Sequence, residues 1–150
     1  MRIKTKTLAI LATVLAIVIG VGLIFTISRF NSTIKTKEIS VTAYSVGALD
    51  TETGKFKDVD TSIYTKDYIE CDGLEIKVQE DDLTVQYAVV FYDDDKIFVS
   101  ATALSDKDYT ESVPETAKYC RIMITPDEDA EVTTLEISKY AKQITVTVNK

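Results

Sequence analysis

Any chemistry in this chain has to be built without an imidazole. The sequence contains no histidine, which removes Ser-His-Asp and Cys-His catalysis and every zinc site with a histidine ligand. Two cysteines, Cys71 and Cys120, are too few to make a structural zinc site alone. They stand either as one disulfide or as two buried thiols that pack as small apolar residues. Outside a cell, a bridge across two sheets, closing a loop of about fifty residues, would contribute about 3–4 kcal/mol. Asp93 and Asp95 in one acidic run, and Asp127 and Asp129 in another, are candidate ligands for calcium, which takes six to eight oxygens. The first run departs from an EF-hand loop, with Phe98 where glycine is needed and Leu104 where glutamate is needed. Acidic turns are usually just solvated, and that is the simpler account of both runs. An enzyme here would depend on carboxylates alone, as glycosidases do. No cleft-forming insertion is visible, and the expectation is a protein without catalysis.

Charge divides the chain in two. Residues 1–37 carry Arg2, Lys4, Lys6, Arg29, Lys35 and Lys37 and no acid, so the overall net charge of −7 leaves −13 on residues 38–150. A domain that acidic is repelled by phosphate backbones, which argues against nucleic acid as a partner.

The element that positions everything else is residues 8–27, an uncharged run whose polar side chains are Thr13 and Thr26. As a helix it spans about 30 Å, the thickness of a bilayer's hydrocarbon core, and it has no polar face of 3.6-residue period. Basic residues lie on both sides. The short basic segment 1–7 nevertheless resembles the start of a signal, and the acidic, β-rich remainder suits an external location. The run is longer than a cleavable signal's apolar core, and no Ala-x-Ala site follows it. The expectation is an uncleaved signal anchor: residues 1–7 inside, 8–27 across the cell membrane, 28–37 a basic linker, and 38–150 one domain outside. Ala12, Ala16 and Gly20 share one side of the helix and could let two copies approach as a homodimer, although small residues are common in membrane helices. Asn31-Ser32-Thr33 fits a glycosylation sequon.

After residue 37 the periodicity becomes two. Residues 38–44 alternate with Ile39, Val41 and Ala43 on one face. Residues 46–61 are turn-rich, with a turn at Thr53-Gly54-Lys55. Asp72-Gly73 predicts a hairpin over 68–78 that pairs Cys71 with Leu74 and Ile69 with Ile76, burying Cys71. A second hairpin over 83–101 turns at Asp93-Asp94-Asp95 and would pair Phe91 with Ile97, Val89 with Val99 and Tyr87 with Ala101. Its other face, with Ala88, Val90, Tyr92, Phe98 and Ser100, is apolar enough to need a cover or to be a binding surface. Residues 104–115 read as a polar loop, and residues 117–125 as a strand with Cys120, Ile122 and Ile124 inward and Tyr119, Arg121 and Met123 outward. Strands over 131–137 and 143–148 complete the set. No amphipathic helix is evident, so the fold class is all-β, an antiparallel two-sheet sandwich behind one membrane helix.

Three stretches occur together: Tyr68-Ile69-Glu70-Cys71, then Phe91-Tyr92-Asp93-Asp94-Asp95-Lys96-Ile97-Phe98-Val99-Ser100, then Pro114 through Ala117-Lys118-Tyr119-Cys120-Arg121-Ile122. This order resembles the small jelly-roll, carbohydrate-binding-module-like domains of Gram-positive bacterial surface, wall-associated and phage-tail proteins. The likeness spans roughly residues 47–125. It implies a jelly roll and, more loosely, sugar binding. Two features depart from the pattern: the chain has no tryptophan to act as a flat sugar platform, and Cys120 stands between Tyr119 and Arg121 where an apolar residue is usual.

Such modules hold a sugar's apolar side on aromatic rings and its hydroxyls on Arg, Asn or Asp. Tyr92, Phe98, Tyr119 and Arg121 are the candidates on the non-core face, unless Tyr119 and Arg121 are a stacked structural pair. The expected function is non-catalytic binding of cell-wall or extracellular glycan, which requires Tyr92, Tyr119 and Arg121 to be exposed around a groove. The competing expectation is a protein-interaction or structural subunit of a membrane or surface assembly, with a partner covering the Val90/Phe98 face.

Overall fold

The computed structural model describes residues 36–79, 85–126 and 130–149. The anchor segment 8–27, Ala12, Ala16 and Gly20, the sequon at Asn31, and Asp127 and Asp129 lie outside them. Among the described residues no helix is long and apolar enough to cross a membrane.

The described residues form antiparallel β-sheets. In chain order the elements are β1 (Thr36–Glu38), a 3-10 turn (Val41–Ala43), β2 (Tyr44–Val46), β3 (Ala48–Leu49), β4 (Phe56–Lys57), β5 (Ile63–Thr65) and β6 (Ile69–Glu70). They continue with β7 (Glu75–Val78), β8 (Val85–Tyr92), β9 (Phe98–Ala101), β10 (Tyr119–Pro126), helix α1 (Ile137–Ala141) and β11 (Ile144–Asn149). One sheet runs β2-β5-β10-β8-β9, with β6 also on β10; the other runs β1-β11-β7; β3 and β4 form a separate ribbon. The two sheets pack into a sandwich. Its core takes Ile63, Tyr87, Val89, Phe91, Cys120, Ile122 and Ile124 from the larger sheet, and Ile76, Ile144, Val146 and Val148 from the smaller. Burial of each such side chain is worth about 1.5–3 kcal/mol.

The larger sheet is covered on its outer face as well. Ala88, Val90, Tyr92 and Met123 form a second cluster with Leu49 of the ribbon. The apolar outer face of β8 is thus closed by the chain's own β3–β4 ribbon. This lid is fastened by polar contacts. Tyr92 donates its hydroxyl to the Gly54 carbonyl at 2.6 Å, and the Leu49 N–H donates to Met123 Sδ at 3.2 Å. Gly54 takes a positive φ of 69°, and a Cβ there would sit 2.7 Å from Phe98. Asp50 closes the ribbon turn: one carboxylate oxygen accepts the N–H groups of Glu52 and Thr53, and the other meets Lys57 at 2.6 Å. The bond with Lys57 leads in holding the Asp50 carboxyl well below the usual aspartate range.

Several sequence expectations are corrected. β1 begins at Thr36, inside the expected linker. Residues 38–44 are not one strand: Ser40 accepts the Thr42 N–H on its hydroxyl and the Ala43 N–H on its carbonyl, ending β1 in a 3-10 turn. The chain changes sheets there, β1 pairing with β11 and β2 with β5. The Asp72-Gly73 turn forms, but its arms do not pair with each other. β6 pairs with β10 and β7 with β11, so the expected hairpin is a corner between sheets, although Cys71, Leu74 and Ile76 are buried as expected.

The β8–β9 hairpin is present with a different register: Tyr92 pairs with Phe98 and Phe91 with Ser100 across a bulge. The Asp93 carboxylate accepts the N–H groups of Asp95 and Ile97, and Lys96 turns through a positive φ of 62°, which widens the loop beyond three residues. Residues 131–137 are not a strand. Glu136, the residue before α1, accepts both the N–H and the hydroxyl of Thr133, which folds residues 133–136 into a turn. Arg121 and Met123 face outward as expected, but the second layer buries both.

Two outcomes follow from the lid. Tyr92→Phe leaves the Gly54 carbonyl without its partner and lowers the unfolding free energy by about 1–2 kcal/mol in a urea titration. The depressed Asp50 pKa makes its contribution full above the unfolded value of about 4 and lost as the pH falls through the folded value. The melting temperature of Asp50→Asn therefore falls less than that of wild type over the same acid titration.

Candidate ligand-binding groove

The larger sheet contains a break, and the groove lies beside it. Along one edge of β10, Met123 and Ile124 pair with β5, whereas Tyr119 and Cys120 pair with β6. Between β5 and β6 the chain leaves the ladder, freeing backbone groups in a buried place, where each must find another partner. Two side chains supply them. Thr65 Oγ1 accepts the Ile122 N–H at 3.0 Å, while Arg121 donates from Nε to the Thr65 carbonyl and from Nη2 to the Lys66 carbonyl, both at 2.9 Å. The guanidinium also lies over two rings, 4.8 Å from the Tyr64 centroid and 5.3 Å from that of Tyr68.

Tyr68 is the hub of this layer. Its ring meets Tyr92 edge-on at 4.8 Å and Tyr119 at 6.3 Å, and Lys96 Nζ lies 5.1 Å from Tyr68 and 5.9 Å from Tyr119. Tyr68 and Tyr119 are half-buried, and they line a groove of about 370 Å³. Its other walls come from Lys37, Glu38, Ile39 and Ser40 around the end of β1, and from Asp67, Ile69 and Glu70. The groove thus has aromatic surface on one side and hydrogen-bonding groups, mostly acidic, around it. Its volume lies in the range of small-ligand sites, roughly 300–1,000 Å³.

The candidate residues fare differently. Tyr92 is only 2% exposed, its hydroxyl held by Gly54 and pushed up to about 12 by burial. Arg121 is 9% exposed, with its donors committed to carbonyls of its own chain. Phe98 is half-buried against the ribbon at Gly54. The expected exposed trio of Tyr92, Tyr119 and Arg121 is therefore not present; of the three, Tyr119 alone reaches the groove. The stacked structural pair expected of Tyr119 and Arg121 is also replaced, because Arg121 stacks on Tyr64 and Tyr68. Likewise the Val90/Phe98 face is occupied by the ribbon rather than left for a partner.

Asp93 binds its own loop amides, and among the described residues no three acidic or cysteine side chains gather as ligands for a metal ion. Cys71 and Cys120 are free and fully buried. Tyr68 was legible by parity: with Ile69 and Cys71 inward on consecutive core positions, Tyr68 must face out. Tyr64 and Lys96 carried no such signal, one lying on a three-residue strand, the other placed by an irregular loop.

No family model, curated protein or solved structure matches this chain.

The geometry separates a scaffold role from a binding role. Arg121→Ala strips a buried carbonyl, that of Thr65, and a part-buried one, that of Lys66, of a charged donor and costs about 2–4 kcal/mol of stability. Tyr119→Ala, at a half-exposed ring, costs about 1 kcal/mol and leaves a cooperative melt. Parallel denaturant titrations of the two variants read the difference.

Proposed function

We propose that this chain is a single-pass membrane protein, N-terminus inside, that displays a jelly-roll domain outside the cell and binds glycan there without turnover. The support for the anchor is the uncharged run at 8–27. The single observation that carries the binding role is the groove beside β6, where the half-exposed rings of Tyr68 and Tyr119 adjoin Ser40, Glu38, Asp67 and Glu70. Rings of this kind cover the apolar face of a sugar, while the hydroxyl and carboxylates take its hydroxyl protons. The acidic rim favours a neutral or amine-bearing sugar over one carrying phosphate or carboxylate. The reading is non-catalytic because the groove's carboxylates, Glu38, Asp67 and Glu70, all stand open to water.

The test is sedimentation of the detergent-solubilised full chain with insoluble cell-wall material, alongside a panel of soluble neutral, amino and acidic glycans. Binding should saturate, favour the neutral or amino sugars, and weaken roughly tenfold in Tyr119→Ala, the loss of one stacking contact. A folded wild-type chain that binds no member of the panel would sink the glycan role. It would move the assignment to a protein-interaction or structural subunit of a surface assembly.

A further inference from the structure

The groove makes no use of the two cysteines, yet the fold brings them together. Ile69 pairs with Cys120 across β6 and β10, and the Cys71 N–H then donates to the Lys118 carbonyl at 3.1 Å, continuing the same ladder by two residues. Cys71 and Cys120 therefore occupy diagonal positions on one face of adjacent strands, both fully buried in the core between the sheets. They lie in the same sheet, and the bridge across the two sheets that the sequence allowed is not the arrangement. In a regular ladder, diagonal neighbours stand roughly 7–8 Å apart, too far for a disulfide. Cys71, however, is the residue at which the chain leaves the ladder. Its carbonyl accepts the Leu74 N–H in the Asp72-Gly73 turn, so its side chain is released from the regular diagonal spacing, on the same buried face as Cys120. The two thiols influence each other's titration: the neighbouring Cys120 draws the Cys71 thiol below its ordinary value, and the neighbouring Cys71, with burial, pushes Cys120 up. Among the described residues no third cysteine or metal cluster competes for either sulfur.

We propose that Cys71 and Cys120 are a disulfide-forming pair that staples the corner between the two sheets to the central strand β10. The oxidant is an external disulfide, on a thiol-exchange protein or a small molecule. The Cys71 thiolate attacks one sulfur of that disulfide and expels the other as a thiolate, giving a mixed disulfide. Cys120 then loses its proton and attacks Cys71 Sγ, releasing the second thiolate. One S–S bond forms in the domain, one is reduced to two thiols in the oxidant, and two electrons pass between them. Because both sulfurs are sealed in the core, the exchange belongs to the folding chain or to a transient opening of the corner. The pairing stands independently of the cellular location proposed above; its completion in the cell rests on that location.

The test takes the purified full chain in detergent through glutathione buffers from reducing to oxidising, then unfolds it, alkylates it and weighs it. At the oxidising end the monomer should lose the mass of two hydrogens and take up no alkylating reagent. Its melting temperature should rise by roughly 10 °C or more over the reduced chain, the effect of closing a fifty-residue loop. Cys71→Ala/Cys120→Ala should still melt cooperatively and show no such redox-dependent shift. Two alkylatable thiols at every buffer composition, or glutathione adducts and dimers without the internal bridge, would overturn the pairing. A parallel sample acid-quenched directly from cells separates the two ideas. A bridge found there supports both. Free thiols there, with a bridge formed in buffer, uphold the pair and overturn the outside location.

Discussion

The guanidinium of Arg121 stands in for a missing piece of β-ladder. Where the chain steps away between β5 and β6, the carbonyls of Thr65 and Lys66 would face a buried edge with no partner, and Arg121 reaches across from β10 to take both. The same group is clasped by Tyr64 and Tyr68. A planar fork suits this role, since it bonds along its edges and stacks on its faces at once; a lysine ammonium could do one or the other. The break is what lets Tyr68 swing outward toward the groove. Sheet continuity and the aromatic layer beside the groove therefore depend on one buried charge.

A second constraint shapes the other side of the molecule. β8 is apolar on both faces, so a two-sheet sandwich alone would leave Ala88, Val90 and Tyr92 wet. The β3–β4 ribbon resolves this with two short strands, too small to hold on by burial alone. Its hold comes from a tyrosine hydroxyl on a glycine carbonyl, an amide on a thioether, and an aspartate that ties its own turn. The lid is thus assembled from polar contacts around an apolar patch, and Gly54 is fixed by the lack of room for a Cβ.

Alternation along the chain revealed which residues face inward more readily than which strands are neighbours. β10 and β11 were legible because long period-two runs with Ile and Val admit one inward face. The corner at Asp72-Gly73 was not, since a turn between two alternating runs looks the same whether its arms pair together or diverge. The chain switch at Ser40 was hidden for a similar reason: a serine that captures nearby amides leaves no mark on hydrophobic period. The turn before α1 had a mark, the Thr133-to-Glu136 spacing, overridden by the β-branched composition around it. In the site, Tyr119 could be read from its strand and Tyr68 from parity with Ile69. The structural duty of Arg121 could not, because it exists only where a ladder fails, and that failure involves residues 55 positions apart.

The pairing of β1 with β11 carries a mechanical consequence. Thr36 lies opposite Asn149, and the strands run antiparallel. Tension applied between residues 36 and 149 therefore pulls apart two points that already face each other, opening the pair like a zipper, one rung at a time. Strands loaded along their length would instead resist with all their rungs together. Force entering between these ends meets the sandwich at its weakest geometry, and the long β8–β10 pairing behind it bears none of the initial load.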